Sequence, residues 1–299
     1  MLLVTGITGH TGRYFLQELI NNKYEGSIRC IVRITSDTKF LDNSGLNIEK
    51  VVGNLDDQEF IESVMFGVNT IMHIYNINHS PTVVQSAIKN KVKRVILVHT
   101  TGIYSQYKSA SEGYKNIEGE ILKLTKGPQL QTSITILRPT MIYGDLYDSN
   151  MSKFIKMVDK FRIMPVINGG KSLIQPVNAR DLGKAYYNVL MSPEETAGKA
   201  YDLSGEKPIT MIDVLKIISK QLKKKTIYIF VPLSSGVFMA RILKTVTFSK
   251  LDYIEKVQRM GEDRTYAHDN ATSDFGYNPM TFDVGIQKEV HEYIQKFKK

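Results

Sequence analysis

The sequence predicts an α/β chain: a doubly wound parallel sheet with a smaller, mainly helical C-terminal lobe. Three observations carry that expectation. Short β-branched runs alternate with longer amphipathic ones through the first hundred residues. A glycine-rich turn, Gly6-Ile7-Thr8-Gly9-His10-Thr11-Gly12, joins the first apolar run to the first amphipathic one. The alternation breaks after residue 144, resumes at 177, and yields to helical periodicity from 205 onward.

Each element has a local reason. LLVT at 2–5, SIRCIVR at 27–33, IEKVVG at 48–53, TIMHIY at 70–75 and KRVILVH at 93–99 are β-branched and bounded by polar turns, so they read as strands. Between them, residues 12–22 place Tyr14, Phe15, Leu16, Leu19 and Ile20 at helical spacing, and Asp56 to Met65 reads as a helix with an acidic first turn. Ser80-Pro81 predicts an N-cap followed by proline at the first helical position. Beyond SITILRP at 133–139, one helix is expected around 150–161, then an irregular NGGKS loop, a helix at 179–191 and a strand at 200–204. Thr210 is expected to cap the next helix, and a final helix to run over about 282–297. The implied division is 1–144 with 177–204 as a dinucleotide-binding domain, and 145–176 with 205–299 as a smaller substrate-binding lobe.

Composition bounds the function. A chain of 299 residues with 42% apolar side chains can bury a large core. The single cysteine, Cys30, excludes a disulfide framework and fits a reducing compartment, and no window supplies the roughly 18 apolar residues of a membrane span. A cytoplasmic location is therefore expected. The net charge of +9 fits anionic partners. Its lysines are scattered and not interleaved with aromatics, which disfavours nucleic acid and leaves anionic small ligands. No metal site is expected.

The glycine turn points to a dinucleotide. Glycines at 6, 9 and 12 permit a tight turn and close approach of backbone N–H groups to a pyrophosphate, and the helix N-terminus behind them adds partial positive charge. Thr8, His10 and Thr11 complete the cradle. At the end of the second strand a carboxylate suits NAD, whereas an arginine accommodates a 2′-phosphate. Arg33 stands there, which favours NADP(H); Asp37, four residues later, keeps NAD(H) open.

Further motifs extend the pattern in order: Val52-Gly53-Asn54-Leu55-Asp56-Asp57, then Ile71-Met72-His73-Ile74-Tyr75, then Val92 through Tyr104, then Leu137-Arg138-Pro139-Thr140-Met141-Ile142-Tyr143-Gly144, then Val177 through Leu182, and finally Ser273 through Pro279. Together with T-G-x-T-G-x-x-G at 5–12 they resemble extended or atypical short-chain dehydrogenases/reductases, the NAD(P)-dependent epimerase/dehydratase and NmrA-like group, over nearly the whole chain. The resemblance implies a Rossmann-type sheet and cofactor contacts from Asn54, Leu55, Ile74, Tyr75, Arg138 and Pro139. Thr100, with Thr101 as its near alternative, takes the place of the family serine that bonds the substrate oxygen. His99 reads as a strand-end histidine bonded to backbone.

Family members carry a tyrosine and a lysine at i and i+4. The phenol's ordinary pKa near 10 is lowered by the neighbouring ammonium toward the range where proton transfer works. The literal Y-x-x-x-K from Tyr104 to Lys108 comes too early after Thr100. Reading the helix as Glu112 to Lys126 makes Lys115 the match, a residue that would also hold the nicotinamide ribose, with Ser111 where the tyrosine belongs. Tyr107 and Tyr114 are the candidate replacements, with Tyr75 across the pocket. The expected function is an NADP(H)-dependent oxidoreductase or nucleotide-sugar epimerase/dehydratase with an atypical site. A non-catalytic NADP(H)-sensing or structural nucleotide-binding protein and an NADPH:quinone-type reductase are the alternatives. The partner is a small molecule, a nucleotide sugar or quinone, with Lys153, Lys156, Arg162 and Lys171 as candidate diphosphate donors; a homodimer stays open.

Overall fold

The computed structural model describes residues 1–126 and 131–297, apart from the side chains of 108–110. The literal lysine of Tyr104–Lys108 therefore has its side chain outside the described residues. The chain begins β1 (Leu2–Thr5), α1 (His10–Asn21), β2 (Ile28–Val32), α2 (Lys39–Asp42), β3 (Ile48–Val52), α3 (Gln58–Ser63), β4 (Thr70–His73) and α4 (Ser80–Lys89). It continues through β5 (Arg94–Val98), α5 (Lys108–Leu124), β6 (Ser133–Pro139), β7 (Ile142–Tyr143), α6 (Met151–Lys160), β8 (Ile163–Ile167), β9 (Leu173–Ile174) and β10 (Val177–Asn178). Then come α7 (Ala179–Met191), α8 (Pro193–Thr196), β11 (Ala200–Leu203), β12 (Ile209–Thr210), α9 (Met211–Gln221), β13 (Ile227–Val231) and α10 (Leu233–Val246). Three further α-helices, Ile254–Gln258, Asp269–Phe275 and Phe282–Phe297, complete a largely helical C-terminal part.

Seven strands form one parallel sheet in the order β11-β6-β5-β4-β1-β2-β3, a Rossmann-type arrangement. Successive side chains of a strand face opposite sides. Leu2 and Val4 accordingly pack with Phe15, Leu19, Leu182 and Tyr186 on one face, while Leu3 packs with Ile61, Val84 and Ile121 on the other. Helices α1 and α7 meet closely because Gly183 has no side chain: a Cβ there would lie 2.6 Å from the Tyr14 carbonyl carbon. A third apolar cluster joins Met151, Ile155 and Val166 to Val214, Ile218 and Ile286.

The strand order reverses between β1 and β4, and their C-terminal ends are tied by a buried side-chain bridge. The Thr5 hydroxyl lies 2.7 Å from His73 Nδ1, while His73 Nε2 lies 3.1 Å from the Asn76 carbonyl. Because a carbonyl only accepts, Nε2 carries the proton and Nδ1 accepts from Thr5. Burial pushes the imidazole down to about 3, so it stays neutral. Cys30 is buried in β2, which pushes its thiol up to about 12 and leaves it inert.

Two local expectations are corrected. The helix read as Glu112–Lys126 starts at Lys108: Tyr107 is its N-cap and Ser105 Oγ accepts from the Tyr107 N–H. Small polar residues of weak helix propensity had made that first turn look like loop. Ser80 does not cap α4; it is fully buried inside the first turn, after a short 3-10 turn, and its hydroxyl bonds a histidine instead. The segment beyond 205 also contributes a strand, β13, paired in parallel with β8. Thr210 does cap α9, accepting from the Asp213 N–H at 3.2 Å.

Candidate dinucleotide and substrate cleft

The glycine turn sits at the crevice where the sheet order reverses, the usual ligand position in such folds. Gly6 has φ of +77°, and a Cβ there would meet Tyr75 N at 2.7 Å. A Cβ on Gly12 would fall 2.1 Å from the Gly6 carbonyl oxygen. Gly9 closes the turn by donating its N–H to Gly6 O at 2.9 Å, then serves as N-cap of α1 with no side chain covering the helix end. The free N–H groups and positive dipole end of α1 are thus left for an anion.

A cavity of about 390 Å³ opens over this turn. Gly6, Thr8, Gly9, His10 and Thr11 form its floor, Asn54, Leu55, Ile74 and Tyr75 its wall, and Arg33 its outer end. Gly12 lies behind the lining, packing the helix onto the turn. Arg33 is exposed, and no ion pair holds its guanidinium among the described residues. Asp37 turns away: its Oδ1 accepts from the Lys39 N–H at 3.1 Å, at the start of α2. The cradle, the helix end and this arginine fit a nicotinamide dinucleotide.

His10 and Ile142 line this cavity and a second one of about 510 Å³ that adjoins it. Thr100, Thr101 and Gly102 bring the end of β5 to the second cavity, Thr140 and Met141 the end of β6, and Arg259, Glu262, Arg264 and Tyr266 the C-terminal part. Glu262 latches the two sides together, accepting from Ser105 Oγ at 3.0 Å and the Gln106 N–H at 2.8 Å. Arg259 Nε lies 3.9 Å from Glu262, beyond hydrogen-bond reach, and the inward Arg264 Nε has no protein acceptor among the described residues. Burial and the Arg259 charge both lower the Arg264 pKa.

At the junction, His10 Nε2 lies 2.9 Å from Asp145 Oδ1, and Tyr14 donates to Asp145 Oδ2 at 2.8 Å. Burial alone would raise the Asp145 carboxyl, yet His10 and Tyr14 hold it down at about 2. Behind it, fully buried Glu289 accepts from the Gly144 N–H at 2.9 Å. Burial and the adjacent Asp148 carboxylate push Glu289 up to about 10, so it keeps its proton. The folded chain thus binds this proton above the ordinary value of 4.5 where the unfolded chain releases it. The associated stability is complete at low pH and is lost as pH rises toward 10. Glu289→Gln, which mimics the neutral acid, is expected to flatten the fall in thermal midpoint between about pH 6 and about pH 9; melting curves for both proteins would show it, and equal slopes would contradict it.

The remaining predicted residues lie elsewhere. Arg138 is clamped by Glu118 at 2.9 Å and 2.5 Å and reaches the Tyr104 hydroxyl at 3.0 Å, and neither it nor Pro139 lines either cavity. His99 bonds side chains rather than backbone: Glu118 through Nδ1 and Ser80 through Nε2, each at 3.0 Å. Lys115 is exposed and outside both cavities, and Ser111, one turn before it, is buried and donates to Tyr107 O at 3.0 Å. Tyr114 packs on Gly102, and Tyr107 faces a smaller hollow with Glu262 and Tyr266. Lys153, Lys156, Arg162 and Lys171 are likewise absent from the cleft lining. The cleft's arginines, Arg259 and Arg264, have no periodicity or glycine signal to mark them in the sequence.

Comparison with known proteins agrees with this architecture. The NmrA-like family model matches residues 1–298. The dTDP-glucose 4,6-dehydratase of Streptomyces venezuelae, solved with NAD, superposes with a TM-score of 0.74 at 18% identity, covering 98% of this chain and 97% of that one. UDP-glucose 4-epimerase of Thermotoga maritima gives 0.73 at 14% identity, with 99% of each chain covered. A mitochondrial NADH dehydrogenase 1 alpha subcomplex subunit 9 of Arabidopsis thaliana is 27% identical over 106 residues, which span 36% of this chain and 26% of that protein. By the match along essentially its whole length, with the fold and glycine cradle described above, the chain belongs to the NmrA-like family.

Proposed function

We propose that the protein is an NADP(H)-dependent oxidoreductase of the epimerase/dehydratase type that acts on a small anionic substrate. The observation that carries this reading is the pair of adjoining cavities: a glycine cradle with Arg33 at one end, joined at His10 to a chamber holding Thr100 and Arg264, whose Nε has no protein acceptor among the described residues. The bound cofactor would supply hydride chemistry. Gly6, Gly9 and the α1 N-terminus would hold its pyrophosphate, and Arg33 its 2′-phosphate. Thr100 would hydrogen-bond the substrate oxygen, while Arg264 and Arg259 would orient an anionic group such as the diphosphate of a nucleotide sugar. The likeness to nucleotide-sugar enzymes supports that substrate class.

Arg33→Ala is expected to weaken NADPH by about 10-fold or more and NADH little, since a lost charge-assisted bond costs about 1.5–3 kcal/mol. Parallel calorimetric titrations measure this. Equal losses for both dinucleotides would remove the NADP preference.

A second reading has its own observation: serine replaces the family tyrosine at 111, and Lys115 lies outside the cleft. A protein that only holds or senses the dinucleotide would look the same there. Following NADPH absorbance with carbonyl and quinone acceptors, and product formation from nucleotide sugars, whose epimerisation or dehydration would return the hydride within each turnover, separates the two. Turnover with any of them supports the enzyme, and tight binding without turnover supports the holder.

A further inference from the structure

We propose that the face formed by β8, β13 and α10 docks on the surface of an anionic phospholipid bilayer. Helix α10 inverts the usual arrangement of an amphipathic helix. It buries only its small residues, Gly236 and Ala240, and presents Phe238, Met239, Ile242, Leu243 and Val246 to solvent. Their spacing of three and four residues makes one apolar stripe. Phe238 and Met239 are each 63% exposed, and Phe248 just beyond the helix is 90% exposed, far from what burial in a core would give.

The neighbouring two-stranded sheet repeats the pattern. Ile227 and Ile229 pair with Ile163 and Pro165, and Ile163, Ile227 and Ile229 are all more than half exposed. The helix adjoins this sheet at Ile167, whose Cδ1 lies 2.8 Å from where a Gly236 Cβ would be. The two apolar surfaces therefore meet. Contiguous apolar area of this kind marks a docking face.

Charge identifies the occupant. From Lys223 to Leu251 the chain has six lysines and arginines and no aspartate or glutamate, although Lys244 pairs with the next residue, Asp252, at 2.7 Å. Lys160, Arg162, Lys223 and Lys225 gather around a hollow of about 400 Å³ at the start of β13, with Lys224 tied to Asp159. Bulky aliphatic and aromatic side chains surrounded by cations match the boundary between acyl chains and anionic headgroups. A second copy would bring like charges face to face. Nucleic acid offers phosphates to the lysines but nothing to the exposed isoleucines and methionine. No helix among the described residues is long and apolar enough to cross a membrane, so the mode is lying on the surface.

Co-sedimentation of the full chain with phosphatidylcholine vesicles, and with equimolar phosphatidylcholine and phosphatidylglycerol vesicles, tests this. Binding is expected only to the anionic vesicles, weakening with salt. The double variant Phe238→Asp/Ile242→Asp is expected to lower it roughly 10-fold or more. Both side chains are exposed, so thermal midpoint and dinucleotide affinity should not change. Equal binding by the variant, absence of binding to anionic vesicles, tighter binding to duplex DNA, or a solution dimer that the same variant dissociates would each overturn the proposal.

Discussion

Gly12→Ala is expected to reduce dinucleotide affinity by more than about 100-fold, a loss of roughly 2.7 kcal/mol. The new methyl would stand 2.1 Å from the Gly6 carbonyl oxygen and 2.8 Å from Ile7 Cα, and both are backbone atoms with nowhere to go. Either the turn opens or α1 withdraws from β1, and each displaces the N–H groups that face the cavity. The Gly9 to Gly6 hydrogen bond, at 2.9 Å, is lost in the first case. Calorimetry with NADPH measures the effect, with Gly119→Ala as control, because no atom lies within 4 Å of that Cβ position. The control should bind normally and gain slightly in stability, since alanine is the better helix former. Unchanged affinity in Gly12→Ala would mean that the glycine turn is only a packing feature.

Removing one carboxylate should have the largest effect on stability. Glu118 is buried between Arg138, which it accepts at 2.9 Å and 2.5 Å, and His99, at 3.0 Å. Burial would raise its carboxyl, but Arg138 and then His99 hold it down at about 2. Glu118→Ala would leave the half-buried Arg138 guanidinium with only the Tyr104 hydroxyl at 3.0 Å as a hydrogen-bond partner and would take the partner of the buried His99 Nδ1, a loss of about 3–5 kcal/mol. Denaturant unfolding measures it, and a loss near zero would contradict the network. The pH sign is opposite to that of Glu289. Stability from Glu118 is present above its ordinary value of 4.5 and is lost as pH falls toward 2.

The legible parts of this chain were the local ones. β1, the glycine turn and α1 follow from a run of four apolar-to-β-branched residues, three glycines and a helical stripe, all within 22 positions. That Arg33, just beyond β2, lines the first cavity was legible because strand ends of such a sheet face the crevice. What escaped depends on long-range contact. Ser80 looks like a cap until His99, 19 residues away, claims its hydroxyl. Arg259 and Arg264 enter the cleft because Glu262 latches onto the loop after β5, more than 150 residues earlier. The pairing of β13 with β8 spans some 60 residues and leaves its outer face exposed, so alternation gave no signal. The register of α5 was misread at its start, yet Ser111 and Lys115 keep their i, i+4 relation on the observed helix.

Dinucleotide binding at the α1 N-terminus underlies the proposed activity. Calorimetric titration of the full chain with NADPH, alongside NADH, tests it most directly. The expected result is saturable binding at one site per chain, with NADPH the tighter ligand. Absence of saturable heat with either dinucleotide would contradict it.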